Sequence, residues 1–233
     1  MNRKRRISSE LIYILAILIL SFAVAMMSTA DFGLSMIVAP AYILSQKLQV
    51  VTFGQSEYIL QSILFLVFCF LMRRIRLVYF DAFLTCLIYG FVLDAWRKAV
   101  PLFNPAITAP GSVSLPFRLF LFGMGVLLTA LAVAMFFKSY FYPQVYDFFV
   151  KYISWKFHND PILFKRIFDA SCFLLACTMT LLFFGKFVGI GWGTVLVTIV
   201  NGPIIGWFGR WLDRTFEIVP AFPKLAEKFH ITE

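Results

Sequence analysis

Carboxylates and histidine are scarce in this chain, and a long polar stretch is missing altogether. Twelve Asp and Glu residues stand among 233, with two His and four Cys. The histidines, His158 and His230, lie far apart, and Cys69, Cys86, Cys172 and Cys177 have no metal-ligand spacing with either of them. A metal centre needs clustered His, Cys or carboxylate ligands, and covalent catalysis needs a nucleophile beside a base. Neither pattern is present, so no enzyme, no metal and no cofactor is expected. An ATP-binding motif is also absent. With no room for a soluble domain, the formal charge of +9 does not point to nucleic acid.

What the chain has is apolar surface. Hydrophobic residues make up 61% and charged residues 14%, with 29 Phe and a mean hydropathy of +0.85. That balance excludes a soluble globular domain and defines an all-α membrane protein. A spanning helix needs about 20 mostly apolar residues, and six runs qualify: 11–30, 56–72, 77–93, 119–137, 167–185 and 187–208. They form a single transmembrane domain over 1–233. A first repeat covers 11–98, an external linker rich in proline 99–117, a second repeat 118–210, and a cytoplasmic tail 211–233. The first run could also be read as a signal peptide, since Arg3-Lys4-Arg5-Arg6 precedes it and Ser28-Thr29-Ala30 resembles a cleavage site. Its apolar length exceeds the usual 7–15 residues of such a segment, which argues for retention.

Lys and Arg accumulate on the cytoplasmic side of membrane proteins. With the N-terminus inside, Arg3 to Arg6, Arg73, Arg74, Arg76, Lys138, Lys151, Lys156, Lys165, Arg166, Arg210, Arg214, Lys224 and Lys228 share one side. Lys47, Arg97, Lys98, Arg118 and Lys186 are left outside. Both termini are therefore expected in the cytoplasm.

The two halves resemble each other. Ala23-Val24-Ala25-Met26 recurs as Ala132-Val133-Ala134-Met135, 109 residues later, an offset that also pairs Phe32 with Phe141 and Ser45 with Ser154. An offset of 112 pairs Glu57 with Asp169, Leu84 with Leu196, Gly90 with Gly202 and Lys98 with Arg210. Three spans per half would make the second copy inverted, the plan of many secondary transporters, whose sites lie where the halves meet. The connections 32–46 and 139–160 are too long for hairpins and too apolar for plain loops. Each is expected to be re-entrant or to lie along the interface.

Ionisable residues inside spans usually mark function, because burying a charge in lipid is costly. Asp94 precedes Arg97 and Lys98, Asp147 precedes Lys151, and Asp169 follows Lys165 and Arg166. Such spacings allow local ion pairs. Asp31, Glu57 and Asp81 have no basic residue at either spacing, so they need water, a partner on another span or a ligand. Glu57 opens the second span beside Gln55, Ser56 and Gln61. It reads either as a helix start facing water, where the dipole suits a carboxylate, or as a cation, proton or substrate contact. Asp81 lies a turn inside its span, within reach of a cytoplasmic water pocket. Asn201-Gly202-Pro203 predicts a kink, with the Asn201 amide free for a ligand or an interhelical bond. Gly189, Gly191 and Gly193 allow close helix packing or an anion at a helix N-terminus. Candidate substrate or ion contacts are thus Glu57, Asp81, Asn201, Gln61, Asp31 and Asp169.

Asp31-Phe32-Gly33-Leu34-Ser35, Thr52-Phe53-Gly54-Gln55, Gly90 with Asp94, and Gly191-Trp192-Gly193-Thr194 with Gly202-Pro203 resemble the YczE/YitT-like bacterial integral membrane proteins. The likeness spans nearly the whole chain, although the soluble C-terminal domain of longer YitT relatives is missing. It implies a bacterial cytoplasmic membrane protein and no particular chemistry. The reading that joins these features is a small-solute transporter with a pocket between the repeats. A substrate-binding subunit of a vitamin-type importer is a second, with Ser21-x-x-x-Ala25 and Ala130-x-x-x-Ala134 as docking faces for a partner or another copy. A membrane scaffold without substrate is a third.

Overall fold

The computed structural model describes residues 5–73 and 79–230, apart from the side chains of residues 225 and 228–230. Arg3, Lys4, Arg74, Arg76 and the expected start of the third span at 77 lie outside the described residues.

Six helices are long and apolar enough to cross a membrane: α1 (Ser9–Ala30), α3 (Phe53–Met72), α4 (Tyr79–Ala99), α5 (Leu115–Phe136), α7 (Pro161–Phe184) and α8 (Trp192–Thr215). Short helices α2 (Ala39–Leu48) and α6 (Val145–Lys156) sit between the first and second long helix of each half. The protein is a multi-pass all-α membrane protein. Each half repeats the order long, short, long, long.

Helix α1 forms the centre. Ser8 caps it by accepting from Leu11 N at 3.2 Å, and Ile12, Ala16, Ala23, Ala25 and Ala30 are almost wholly buried. It packs on α4 and α5, and α5 in turn carries α8. Small residues let α1 and α5 close up: a Cβ on Gly125 would stand 2.5 Å from Met27 Cγ and 3.2 Å from the Ala23 carbonyl. Ser21, Ala25, Ala130 and Ala134 are all buried within the chain. The small-residue faces expected to dock a partner are therefore consumed by packing inside the chain.

A second core is aromatic. Phe65 and Phe68 of α3, Tyr79 of α4, and Phe148, Phe149 and Tyr152 of α6 form one cluster. Phe68 and Phe148 rings meet edge to face at 4.8 Å, a geometry that the ring quadrupoles favour. Both short helices are thus covered by spanning helices, α2 by α3 and α7, α6 by α3, α4 and α7.

Close backbone approach fixes two crossings. A Cβ on Gly54 would lie 2.0 Å from the Gly90 carbonyl, so α3 and α4 touch there without side chains. The Phe32 carbonyl accepts from Gly193 N at 2.9 Å, and Leu34 N donates to the Gly189 carbonyl at 3.1 Å. The glycine run before α8 therefore serves packing, with Gly189 in the left-handed region at φ 72°.

Several expected boundaries move. Helix α4 runs on to Ala99 although Asp94, Arg97 and Lys98 end its apolar run. Helix α7 starts early, at Pro161, because Asp160 caps it by accepting from Ile162 N at 2.9 Å. Helix α8 starts late and continues through Pro203. The expected external linker stays largely at the surface but is folded: Pro101–Phe103 make a 3-10 turn with Phe103 buried, Gly111 N donates to the Thr29 carbonyl at 3.0 Å, and Pro116 already belongs to α5. The expected tail is also structured. Strand β1 (Arg5–Ser8) pairs in parallel with β2 (Phe216–Val219), matching Ile7 to Ile218. Glu10 then accepts from Ala221 N at 2.9 Å and Phe222 N at 3.1 Å, ahead of α9 (Pro223–His230).

Candidate functional site

The segment 142–146, which leads into α6, is held by side chains from α3 and α4. Asp81 Oδ2 accepts from Tyr142 N at 2.9 Å. Thr85 Oγ1 lies 3.0 Å from the Tyr142 carbonyl and 2.6 Å from the Tyr13 hydroxyl. Gln61 Oε1 accepts from Val145 N at 3.1 Å. Without Gln61 the first amide of α6 would lack an acceptor, as Tyr142 N would without Asp81, and each orphan costs about 1–3 kcal/mol.

Glu57 completes the set. It stands in the second turn of α3, with no exposed surface. Its Oε2 accepts from Gln61 Nε2 at 3.0 Å and from the Tyr146 hydroxyl at 3.2 Å. Burial, reinforced by the Glu57 carboxylate, pushes the Tyr146 phenol well above its ordinary range, so it serves as a donor. Glu57 Oε1 has no partner among the described residues. The buried Tyr89 hydroxyl and Gln144 side chain lie beside each other near it. The reading of Glu57 as a helix start facing water is overturned: α3 begins four residues earlier, with Thr52 as cap, and carries Glu57 into the interior. Asp81 is half-buried and engaged by the Tyr142 amide.

Three predicted residues lie elsewhere. Asp31 caps α1 with φ 55° and faces Arg118, whose Nη2 donates to the Asp31 carbonyl at 3.2 Å. Burial raises its carboxyl above the usual range while Arg118 opposes the shift. Asp169 pairs with Lys165 at 3.5 Å as its spacing suggested, but Lys165 also reaches Asp147 at 3.0 Å. Asp147 is therefore not the partner of Lys151, which lies over the Tyr142 ring. Asn201 sits on α8, which packs on α5, and its buried Oδ1 has no partner among the described residues.

Asp94 corrects another expectation. Its carboxylate accepts from the Thr52 hydroxyl and, at 2.9 Å, from Gly54 N, rather than pairing with Arg97 or Lys98. The Gly54–Gly90 crossing brings the α3 N-terminus against α4, and Asp94 answers its unpaired amides.

The sequence reading missed Tyr89, Gln144 and Tyr146. Proline at 143 between polar and aromatic residues was the available signal, but hydropathy does not say that this connection folds back onto α3.

Six apolar helices, with a carboxylate buried between α3, α4 and α6, define a polytopic membrane protein. Residues 7–210 match the model of a family of unknown function (DUF6198), and the chain belongs to that family. Comparison with curated proteins and with solved structures finds no match.

Proposed function

We propose that this protein is a small-solute transporter of the bacterial cytoplasmic membrane, with Glu57 as the carboxylate that takes up a proton, a cation or a basic substrate group. One observation carries the reading. Glu57 is fully buried among α3, α4 and α6, and one of its oxygens is unpartnered among the described residues. Buried polar groups are normally satisfied, and those left open in a membrane bundle commonly serve a ligand or proton.

The shared element order of the halves supports an inverted repeat. So do matched contacts: α4 on α1 beside α8 on α5, and α6 on α3 beside α2 on α7. Pairing of β1 with β2 keeps the two ends together, in line with both termini being cytoplasmic. On this reading the likeness to YczE/YitT-like proteins is one of family relationship.

The scaffold reading has its own support, because Asp81, Thr85 and Gln61 all hold the 142–146 segment in place. Proteoliposome uptake separates the two readings. A panel of amino acids, vitamins, polyamines and inorganic ions is tested with wild type and Glu57→Gln. Flux of one panel member that Glu57→Gln abolishes, in protein of unchanged melting temperature, is the expected result. No flux in wild type, with Glu57→Gln as stable and as active in cells, favours the scaffold.

A further inference from the structure

Where α4 ends, it meets the α2–α3 connection and residues 104–105 around a cavity of about 360 Å³. Its wall includes Arg97, Lys98, Asp94, Gln46, Gln49 and Asn104. Arg97 is 91% buried by its 9% exposure, yet its guanidinium makes no hydrogen bond or ion pair among the described residues, and Nε is enclosed without a partner. The nearest carboxylate is already engaged: Asp94 accepts from Thr52 and Gly54 at the head of α3. What Arg97 does touch is the face of Phe53, with 5.3 Å from the guanidinium carbon to the ring centroid. That contact holds the planar group in place without using its donors.

A buried cation with an open donor fork beside a cavity needs an anion. We propose that Arg97 anchors a binding site for a singly charged oxyanion, either the carboxylate of a small solute or the phosphodiester of a lipid headgroup entering the same cavity. Guanidinium geometry matches either group with two parallel hydrogen bonds. Asp94 sets the charge limit, since its carboxylate on the same wall repels a second negative charge. Lys98, exposed at the rim, draws anions inward, and the Gln46, Gln49 and Asn104 amides can bond the rest of the molecule. Cavities of about 300–1,000 Å³ suit small molecules, so the volume favours a compact solute. The inference concerns binding and stands whether or not the chain transports.

The test uses the full chain in neutral detergent at constant ionic strength. Phenylglyoxal modification of Arg97 is followed by peptide mass mapping, and thermal stability is read in parallel. Probes are acetate, propionate, alanine, succinate and inorganic phosphate. A second arm places the chain in nanodiscs of phosphatidylcholine with or without phosphatidylglycerol. Expected is protection of Arg97 with a raised melting temperature by a monocarboxylate or alanine, or by phosphatidylglycerol; succinate should be weaker. Arg97→Gln should weaken binding on the order of 10–100-fold, and Arg97→Lys should not restore it. Protection by the solutes alone assigns the site to a carboxylate, and protection by phosphatidylglycerol alone assigns it to a headgroup. If neither arm protects Arg97 or raises the melting temperature, the proposal fails. It also fails if Arg97→Lys binds like wild type. Because chemical protection is read on the wild-type chain, a variant that does not fold leaves the test intact.

Discussion

Glu57 and Asp169 stand 112 residues apart in sequence, on α3 and α7, yet their surroundings are opposite. Glu57 is sealed among three helices with no ion pair among the described residues, whereas Asp169 is half-buried and shares Lys165 with Asp147. The difference follows from how each half packs. Helices α3 and α4 touch along their backbones at Gly54 and Gly90, while α7 and α8 share no comparable contact. Gly90 has a counterpart in Gly202, which has open space around it, but Gly54 is matched by Arg166. An arginine there cannot admit a second backbone. The α3–α4 pair closes over Glu57, whereas Asp169 stays partly exposed beside its Lys165 partner.

The glycines offer the hardest blow to that contrast. Gly54→Leu forces a side chain into the Gly90 carbonyl, and overpacking of a backbone crossing should cost about 3 kcal/mol or more. Gly202→Leu meets no atom within 4 Å and should change stability by less than about 0.5 kcal/mol. Melting temperature and elution profile in detergent give the comparison. Equal losses at the two positions would mean that α8 also has a close neighbour in the membrane.

The acids come next. Glu57→Gln keeps the shape and the bonds to Gln61 and Tyr146 while removing an uncompensated buried carboxylate. It should hold or raise stability, by up to about 1–2 kcal/mol. Asp169→Asn loses one arm of a partly exposed ion pair, and less than about 1 kcal/mol should go with it. Transport should respond in the opposite order, lost with Glu57→Gln and kept with Asp169→Asn. A fall in stability for Glu57→Gln would instead make Glu57 a structural clamp on α6.

How much of this could be read in advance differs from residue to residue. Hydropathy alone finds all six spans, because lipid and protein interiors reward the same apolar runs. Glu57 and Gln61, four apart on one helix face, are visible as polar residues in an apolar stretch. Tyr146 and Gln144 are not, since nothing in periodicity says that the connection after Pro143 folds back onto α3. Asp94 misleads for a related reason. Its spacing to Arg97 and Lys98 promises a local pair, and only the crossing at Gly54 reveals that the α3 N-terminus claims it first. The β1–β2 pairing is four residues long, too short for alternation to stand out from the flanking charges. The second half's open packing was equally hidden, although Arg166 opposite Gly54 carried the clue.

The smallest effect concerns the two caps that open α3 and α7. Thr52 and Asp160 each accept a backbone N–H of their own helix, from Gln55 at 3.1 Å and Ile162 at 2.9 Å. Replacing either by alanine should cost about 1 kcal/mol. Thr52 does something Asp160 does not, since its hydroxyl also donates to Asp94. Thr52→Ala therefore releases one oxygen of Asp94 a single turn from Arg97, where it can turn toward the guanidinium. The stability loss should be partly offset by that new pair, leaving it no larger than for Asp160→Ala. Oxyanion protection of Arg97 should weaken, because an internal carboxylate now competes for the same donors. Thermal melts with and without propionate read both quantities on one sample. If Thr52→Ala loses stability yet keeps full protection by propionate, Asp94 stays on the α3 amides without its hydroxyl partner. The Gly54 amide alone would then be what keeps the two charges apart.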